Sequence, residues 1–159
     1  MLRKVISGGQ NGADYAGLVV AASFGLETGG WMPKGYKTQG GSLPERAAKF
    51  GLSEHSSPHY APRTFLNVKE SDGTIRLAGD FGSAGELCTM KAIVQYKKPF
   101  VDVDVKNPRP VEEVKDWIIQ NNICILNVAG NTERTFCGIT EDVTEYLTRL
   151  FKLLGLEQK

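Results

Sequence analysis

The chain has 159 residues, of which 41% are hydrophobic and 23% are charged, and its formal net charge is +1. This composition predicts one globular domain over residues 1–159 and gives no electrostatic reason to expect nucleic acid or a membrane as a partner. No apolar run approaches the roughly 20 residues of a membrane span. The first residues lack the features of a signal peptide, and the three cysteines are too few and too scattered for a disulfide framework. We therefore expect a cytoplasmic protein.

Strand-like and helix-like segments alternate along most of the chain. In chain order the apolar pattern predicts a strand at 2–6, a helix at 14–25, a strand at 74–78, a helix at 85–96, a strand at 99–105, a helix from about 110, a strand at 123–128 and a helix from about 140 to 154. Residues 27–73, rich in glycine, proline and serine, predict a long loop-rich insert. The alternation predicts an α/β fold, namely a Rossmann-like three-layer α/β/α domain with a mostly parallel sheet.

A glycine-rich loop, Ser7-Gly8-Gly9-Gln10-Asn11-Gly12, lies between the first strand and the first helix. Glycines let the backbone approach a ligand closely, and the free N–H groups of a helix start attract anions. The loop has neither the dinucleotide fingerprint nor the P-loop sequence, so a purely structural turn stays possible. If it binds phosphate, a side chain at Gly9 would fill the space that the phosphate needs. Gly9→Val is then expected to abolish binding with little loss of folding.

Three predicted strands end in glycine-bearing loops. The second such loop is 79–86, and the third begins with Ala129, Gly130 and Asn131. Because ligands bind beyond the carboxyl ends of parallel strands, we expect these loops to meet around one ligand.

Metal and thiol chemistry have weaker signals. Glu54, His55 and His59 have chelating side chains, but Pro58 argues against a helix that would align them, so we predict no protein-bound metal. Cys88 and Cys124 are expected to be buried core residues, and Cys137 is expected to be a bystander.

Five short motifs occur in a fixed order along the chain. They are Ser7-Gly8-Gly9-Gln10-x-Gly12-x-Asp14, Gly29-Gly30-Trp31-x-Pro33-Lys34-Gly35, Arg63-Thr64-x-x-Asn67-Val68, Ser71-Asp72-Gly73-Thr74 and Asn127-Val128-Ala129-Gly130. Together they resemble the molybdenum cofactor carrier family, and the resemblance covers residue 5 to about residue 147. That family lies within the SLOG group of Rossmann-like nucleotide-binding domains, which includes the LONELY GUY phosphoribohydrolases. The resemblance implies a site for molybdenum cofactor (molybdopterin) or for another phosphorylated, nucleotide-like ligand.

The candidate ligand-binding residues combine these motifs with the predicted loops. They are Ser7, Gly8, Gly9, Gln10, Asn11, Gly12, Asp14, Trp31, Lys34, Arg63, Asp72, Ser83, Gly85, Thr89, Asn127 and Gly130. Trp31 could stack on a flat ring, Lys34 could supply a charge and Arg63 could fork a phosphate. Alternatively, Arg63 pairs with a carboxylate, Asp72 caps a turn and Asp14 caps a helix.

Glu86 departs from the family pattern, because threonine is usual at its position. Its carboxylate would repel a phosphate at that loop, yet the related phosphoribohydrolases use a glutamate near such a loop. A first-turn glutamate favoured by the helix dipole is the plainer interpretation.

Three functions stay open. The first is a carrier or binding protein for a pterin or nucleotide. The second is an N-glycosidic phosphoribohydrolase with Glu86 as its catalytic group, and the third is a sensor of a nucleotide such as ADP-ribose. A homo-oligomer is also expected.

Overall fold

The computed structural model describes all 159 residues. In chain order the elements are β1 (Lys4–Ile6), α1 (Ala13–Ser23), β2 (Glu27–Gly29), β3 (Trp31–Met32), β4 (Lys37–Thr38), β5 (Gly41–Ser42), α2 (Pro44–Phe50), β6 (Ser53–Glu54), α3 (Tyr60–Glu70), β7 (Gly73–Ala78), α4 (Ala84–Tyr96), β8 (Phe100–Asp104), α5 (Val111–Gln120), β9 (Ile125–Gly130) and α6 (Ile139–Leu153). All eight elements predicted from the sequence are present, so the α/β prediction is confirmed. No helix is long and apolar enough to cross a membrane.

The central sheet has five parallel strands in the order β2-β1-β9-β7-β8. The continuous apolar run of the sequence forms its middle strand, β9, as expected for a strand covered on both faces. Because β1 and β9 are neighbours in space but far apart in the chain, the direction in which successive strands are added reverses there. In parallel α/β sheets, this is the position at which ligands bind.

The two faces of the sheet differ in polarity. Ile75 and Leu77 of β7 belong to the main core cluster, together with buried residues of α1, α5 and α6. The alternate residues of β7, Thr74 and Arg76, point to the other face, where α3 and α4 pack against each other. Asn127 of β9 also lies on that face, since its amide donates to the Thr74 hydroxyl over 3.2 Å. A polar floor therefore lies beneath α3 and α4.

The stretch 27–73 is more regular than the loop-rich insert that we predicted. It contains the edge strand β2 and two helices, α2 and α3. Its glycines and prolines act as element boundaries, as with Pro44 in the first turn of α2 and the left-handed Gly51 after its last turn. The cysteine prediction also needs correction, because Cys88 and Cys124 are only partly buried.

Candidate functional site

A cavity of about 410 Å³ opens at the carboxyl ends of the strands, between the sheet and α3. Three segments predicted to converge do so there, namely the loops after β1 and β7 and the end of β9. Predicted residues that line the cavity are Gly8, Gln10, Asp14, Arg63, Ser83, Gly85, Glu86, Thr89, Asn127 and Gly130. Ser7, Gly9, Asn11, Gly12, Trp31, Lys34 and Asp72 do not line it. Whether any of these residues binds a ligand stays a prediction.

Arg63 brings the cavity its only basic side chain. The side chain is 12% exposed, and its Nη1 lies 3.8 Å from Oδ2 of Asp14, whose side chain is 10% exposed. The Arg63 Nε is buried without a hydrogen-bond partner. Every other buried side-chain nitrogen or oxygen of the protein has such a partner. Burial lowers the pKa of the Arg63 guanidinium and Asp14 opposes the shift. An arginine stays charged in a protein, so Arg63 presents a cation with unused hydrogen-bonding capacity.

In the first glycine loop, main-chain N–H groups donate to side chains of the protein itself. Oδ2 of Asp14 accepts from the Gln10 N–H over 3.3 Å, and the Ser7 hydroxyl accepts from the Gly9 N–H over 3.3 Å. Burial raises the pKa of Asp14, although Arg63 counteracts this effect. Asp14 therefore occupies, with its own carboxylate, part of the space in which we expected a ligand anion at this loop. The loop forms one wall of the cavity rather than an open anion cradle.

Glu86 lies in the first turn of α4 and is 2% exposed. Its Oε2 accepts from the Ser83 hydroxyl over 3.1 Å and from the Asn131 amide over 3.2 Å, whereas its Oε1 has no protein partner. Burial raises the pKa of Glu86 to about 7, and the nearby Asp14 carboxyl adds to the rise. The Glu86 carboxyl can therefore hold or release a proton near neutral pH.

The sequence analysis missed a row of cavity residues on α3. Tyr60, Thr64 and Asn67 line the cavity together with Arg63. Their spacing of three, four and seven residues places them on one helical face, and that polar periodicity was the signal that could have predicted both the helix and its role. Asn131 was also missed as a site residue. Its amide nitrogen reaches Glu86, while its oxygen accepts from the Gly79 and Asp80 N–H groups over 2.8 and 3.0 Å.

Three predicted residues lie elsewhere for clear structural reasons. Asp72 precedes β7 at the amino ends of the strands, where its Oδ2 accepts from the Cys124 and Ile125 N–H groups over 3.0 and 2.8 Å. The Trp31 indole N–H donates to Glu70 over 2.8 Å rather than facing the cavity. Lys34 is exposed outside the cavity. Asp72 therefore binds the backbone of a segment more than 50 residues away in the chain, and neither a ligand nor its own turn.

The expectation for Gly9 is also corrected by its geometry. A Cβ at Gly9 would point away from the cavity into a small apolar cluster, at 2.8 Å from Leu52 Cδ1 and 2.9 Å from Met32 Sδ. Gly8 is the residue at which a Cβ would enter the cavity, where it would overlap the Arg63 guanidinium.

The protein contains no group of three or more histidine, cysteine, aspartate or glutamate side chains placed to hold a metal ion. The side chains of Glu54 and His55 are occupied locally, since Glu54 accepts from the Gly35 N–H and His55 Nδ1 accepts from the Ser57 N–H.

The fold and the cavity define a Rossmann-like domain with a pocket at the carboxyl edge of its parallel sheet. The chain belongs to the circularly permutated YpsA SLOG family, whose sequence model matches residues 5–151. A solved structure named "Putative molybdenum carrier protein", from Syntrophus aciditrophicus SB, is 33% identical, covers 94% of each chain and superposes with a TM-score of 0.85. No curated protein matches the chain. The resemblance stated from the motifs is confirmed.

Substitutions at the two adjacent glycines should have different effects. Gly9→Ala should lower the free energy of unfolding by about 2–4 kcal/mol, because φ is +68° there and the new methyl group meets the core. Gly8→Ala should cost less, because the Arg63 side chain can move aside. Denaturant unfolding of both variants measures the difference. If Gly9→Ala were as stable as the parent protein, the stated direction of its Cβ would be wrong.

Glu86 should make stability depend on pH. A carboxyl with a raised folded-state pKa binds its proton more tightly in the folded state. The stabilisation that this proton binding gives the folded state is therefore complete below the reference pKa of 4.5, and it is lost as the pH rises to about 7. Glu86→Gln should flatten this part of the stability profile and be more stable than the parent protein above pH 7, by on the order of 3 kcal/mol at most.

Chemical denaturation between pH 4 and 8 tests this prediction, with the exposed Glu145→Gln as a charge-matched control. A Glu86→Gln profile parallel to that of the parent protein would contradict the raised pKa.

Proposed function

We propose that this protein binds a small phosphorylated ligand, a pterin or a nucleotide, in the cavity and that Arg63 holds its phosphate. The observation that carries the proposal is the nearly buried Arg63 guanidinium, which lines the cavity and makes no hydrogen bond within the protein. An unsatisfied buried donor costs about 1–3 kcal/mol, and more on a charged group, so proteins seldom keep one without a reason. A phosphate oxygen accepts well from a guanidinium and would remove this cost.

The start of α4 supports the same location. The Ser83 side chain accepts from the Glu86 N–H, which leaves the N–H groups of Ala84 and Gly85 without helical partners. The space beside Gly85 is open, since a Cβ at this residue would have no atom within 4 Å. The repulsion expected from Glu86 is moderated, because a carboxyl with a pKa of about 7 is partly protonated at neutral pH. A phosphate between Arg63 and this turn would therefore meet donors on both sides.

The charges of the cavity favour one phosphate group over two. Arg63 is the only basic residue in the lining, and Asp14 and Glu86 bring two carboxyl groups. A diphosphate such as that of ADP-ribose would add more negative charge beside Asp14 than a monophosphate would, with Arg63 as the one cation in either case. The similar structure is named a molybdenum carrier, which supports a ligand that carries molybdenum as cargo, and the pterin is the candidate that the motif resemblance supplies.

Replacement of Arg63 should remove the ligand. We expect small molecules released from the purified, denatured protein to include a phosphorylated pterin or nucleotide at near-stoichiometric amounts, identified by mass spectrometry. Arg63→Met should reduce that amount at least about tenfold, because loss of a buried charged hydrogen-bonding partner costs about 1.5–3 kcal/mol or more.

Arg109→Met is the matched control, since Arg109 is 43% exposed and pairs only with Glu113 on the surface. Equal ligand content in Arg63→Met and Arg109→Met would contradict the role of Arg63. A ligand that lacks phosphorus would contradict the proposed ligand class.

A second candidate function is hydrolysis of the N-glycosidic bond of a nucleoside monophosphate. The free Oε1 of Glu86 favours it, since this atom belongs to a carboxyl that can exchange a proton near neutral pH. In this reaction the bond between ribose C1′ and the base breaks and water adds to C1′. The base leaves with a proton supplied by Glu86, and the proton that the attacking water loses returns to the Glu86 carboxylate, while Arg63 holds the 5′-phosphate.

Turnover of AMP separates the two functions. The hydrolase predicts release of adenine and ribose 5-phosphate, detected by chromatography, with the rate lowered at least about 100-fold in Glu86→Gln. If the parent protein binds AMP and releases no adenine over many hours, the binding function stands and hydrolysis of AMP is excluded.

A further inference from the structure

Arg76 connects the edge of the sheet to the turn that carries Glu86. Its side chain is 6% exposed and lies outside the cavity lining. It forms a two-pronged ion pair with Asp102 on the neighbouring edge strand β8, through Nε over 2.8 Å and Nη2 over 2.6 Å. Its remaining nitrogen, Nη1, donates to the main-chain carbonyl of Glu86 over 3.1 Å. A single guanidinium thereby joins β7, β8 and the first turn of α4.

The same guanidinium also contacts the loop that leads to this turn. Its Cζ lies 5.1 Å from the centre of the Phe81 ring and 6.0 Å from the centre of the Phe100 ring, distances typical of cation–π contact. Phe81 lies in the loop after β7, and Phe100 lies on β8. Arg76 therefore supports the segment 79–86 near its middle through Phe81 and at its end through Glu86.

We propose that the Arg76–Asp102 pair is a positioning device for the candidate site, which holds the first turn of α4 in place and sets the charge on the Glu86 carboxyl. This inference rests on the proposed function for its meaning, because Glu86 matters only if the cavity receives a ligand. The effect of the pair on the pKa of Glu86 can be measured in the ligand-free protein. Asp102 acts through Arg76 and does not line the cavity.

Several groups act on the Glu86 carboxyl from the elements around it. Asp14 of α1 raises its pKa, and Arg76 of β7 lowers it, as do hydrogen bonds from Ser83 and Asn131. Arg63 of α3 lies in the same cavity as a further charged neighbour, and the Cys88 thiol lies on the same helix as Glu86. Among these groups, Arg76 alone has a carboxylate partner outside the cavity, and that partner neutralises part of its charge.

The two partners of the pair should therefore move the pKa of Glu86 in opposite directions. Asp102→Asn keeps side-chain hydrogen bonding to Arg76 but removes the neutralising charge, so the cation acts more strongly and the pKa of Glu86 should fall. Replacing both partners by apolar residues, as Arg76→Met with Asp102→Leu, removes the cation, so the pKa should rise. The double replacement leaves neither charge unpaired, whereas Asp102→Asn leaves the buried Arg76 cation without its counter-ion, so thermal stability is measured beside the titration.

The experiment is a carbon-13 NMR titration of the Glu86 side-chain carboxyl in ligand-free protein, assigned by its loss in Glu86→Gln. We expect a shift of about half a pH unit downwards in Asp102→Asn and upwards in the double variant, since nearby charges move carboxyl pKa values by such amounts or more. Glu27→Gln is the matched control. Glu27 lies on the opposite edge strand β2 and forms an exposed ion pair with Arg3, so its replacement should leave the pKa of Glu86 unchanged.

Loss of thermal stability in Asp102→Asn with an unchanged Glu86 titration would overturn the proposal, because the pair would then be only a structural contact. Shifts of equal sign in both variants would overturn it as well, since they would indicate general loosening of the turn. Ligand content, measured separately in Arg63→Met, reports on the proposed function. If Arg63→Met keeps its ligand, the proposed function fails but the NMR titration of Glu86 is unaffected. The two proposals can therefore fail separately.

Discussion

The candidate site depends on a guanidinium held in a partly enclosed cavity with one long ion pair. Arg63 lies 3.8 Å from Asp14 and keeps its Nε without a partner, although both side chains are nearly buried. Removing a charge from water is costly unless that charge is paired and hydrogen-bonded. The cavity thus contains a cation whose bonding is incomplete, and a bound anion is the simplest physical completion.

The two carboxyl groups of the cavity are held by different means. The Asp14 carboxylate accepts from the Gln10 N–H and faces Arg63, whereas the Glu86 carboxyl accepts from Ser83 and Asn131. The main-chain carbonyl of Glu86 accepts from Arg76. Both carboxyl pKa values are raised by burial. A site with one arginine and two protonatable carboxyls can accept an anion and take up a proton at the same time, which suits either a carrier or a hydrolase.

The periodic parts of the fold were predictable, and the exact site was less so. Alternating strands and helices at 2–25 and 74–154 have strong apolar patterns, and the crevice rule then places the three glycine loops together. The helices of residues 27–73 were missed because the glycines, prolines and serines around them favoured a loop-rich insert, although the polar residues of α3 have helical spacing. A Cβ at Gly9 would meet Leu52 and Met32, which are distant in the chain, so no local pattern could indicate this contact.

The most direct test of the central claim follows the Arg63 Nε–H itself. In nitrogen-15 NMR spectra of the protein freed of ligand, this signal should lie apart from those of the exposed arginines. Titration with AMP, and separately with inorganic phosphate, should move it downfield and slow its exchange with water, because the donor gains an oxygen acceptor. If backbone signals of the cavity move on addition of AMP while the Nε–H and Nη–H signals of Arg63 all stay unchanged, the phosphate is held elsewhere and the account of the site is wrong.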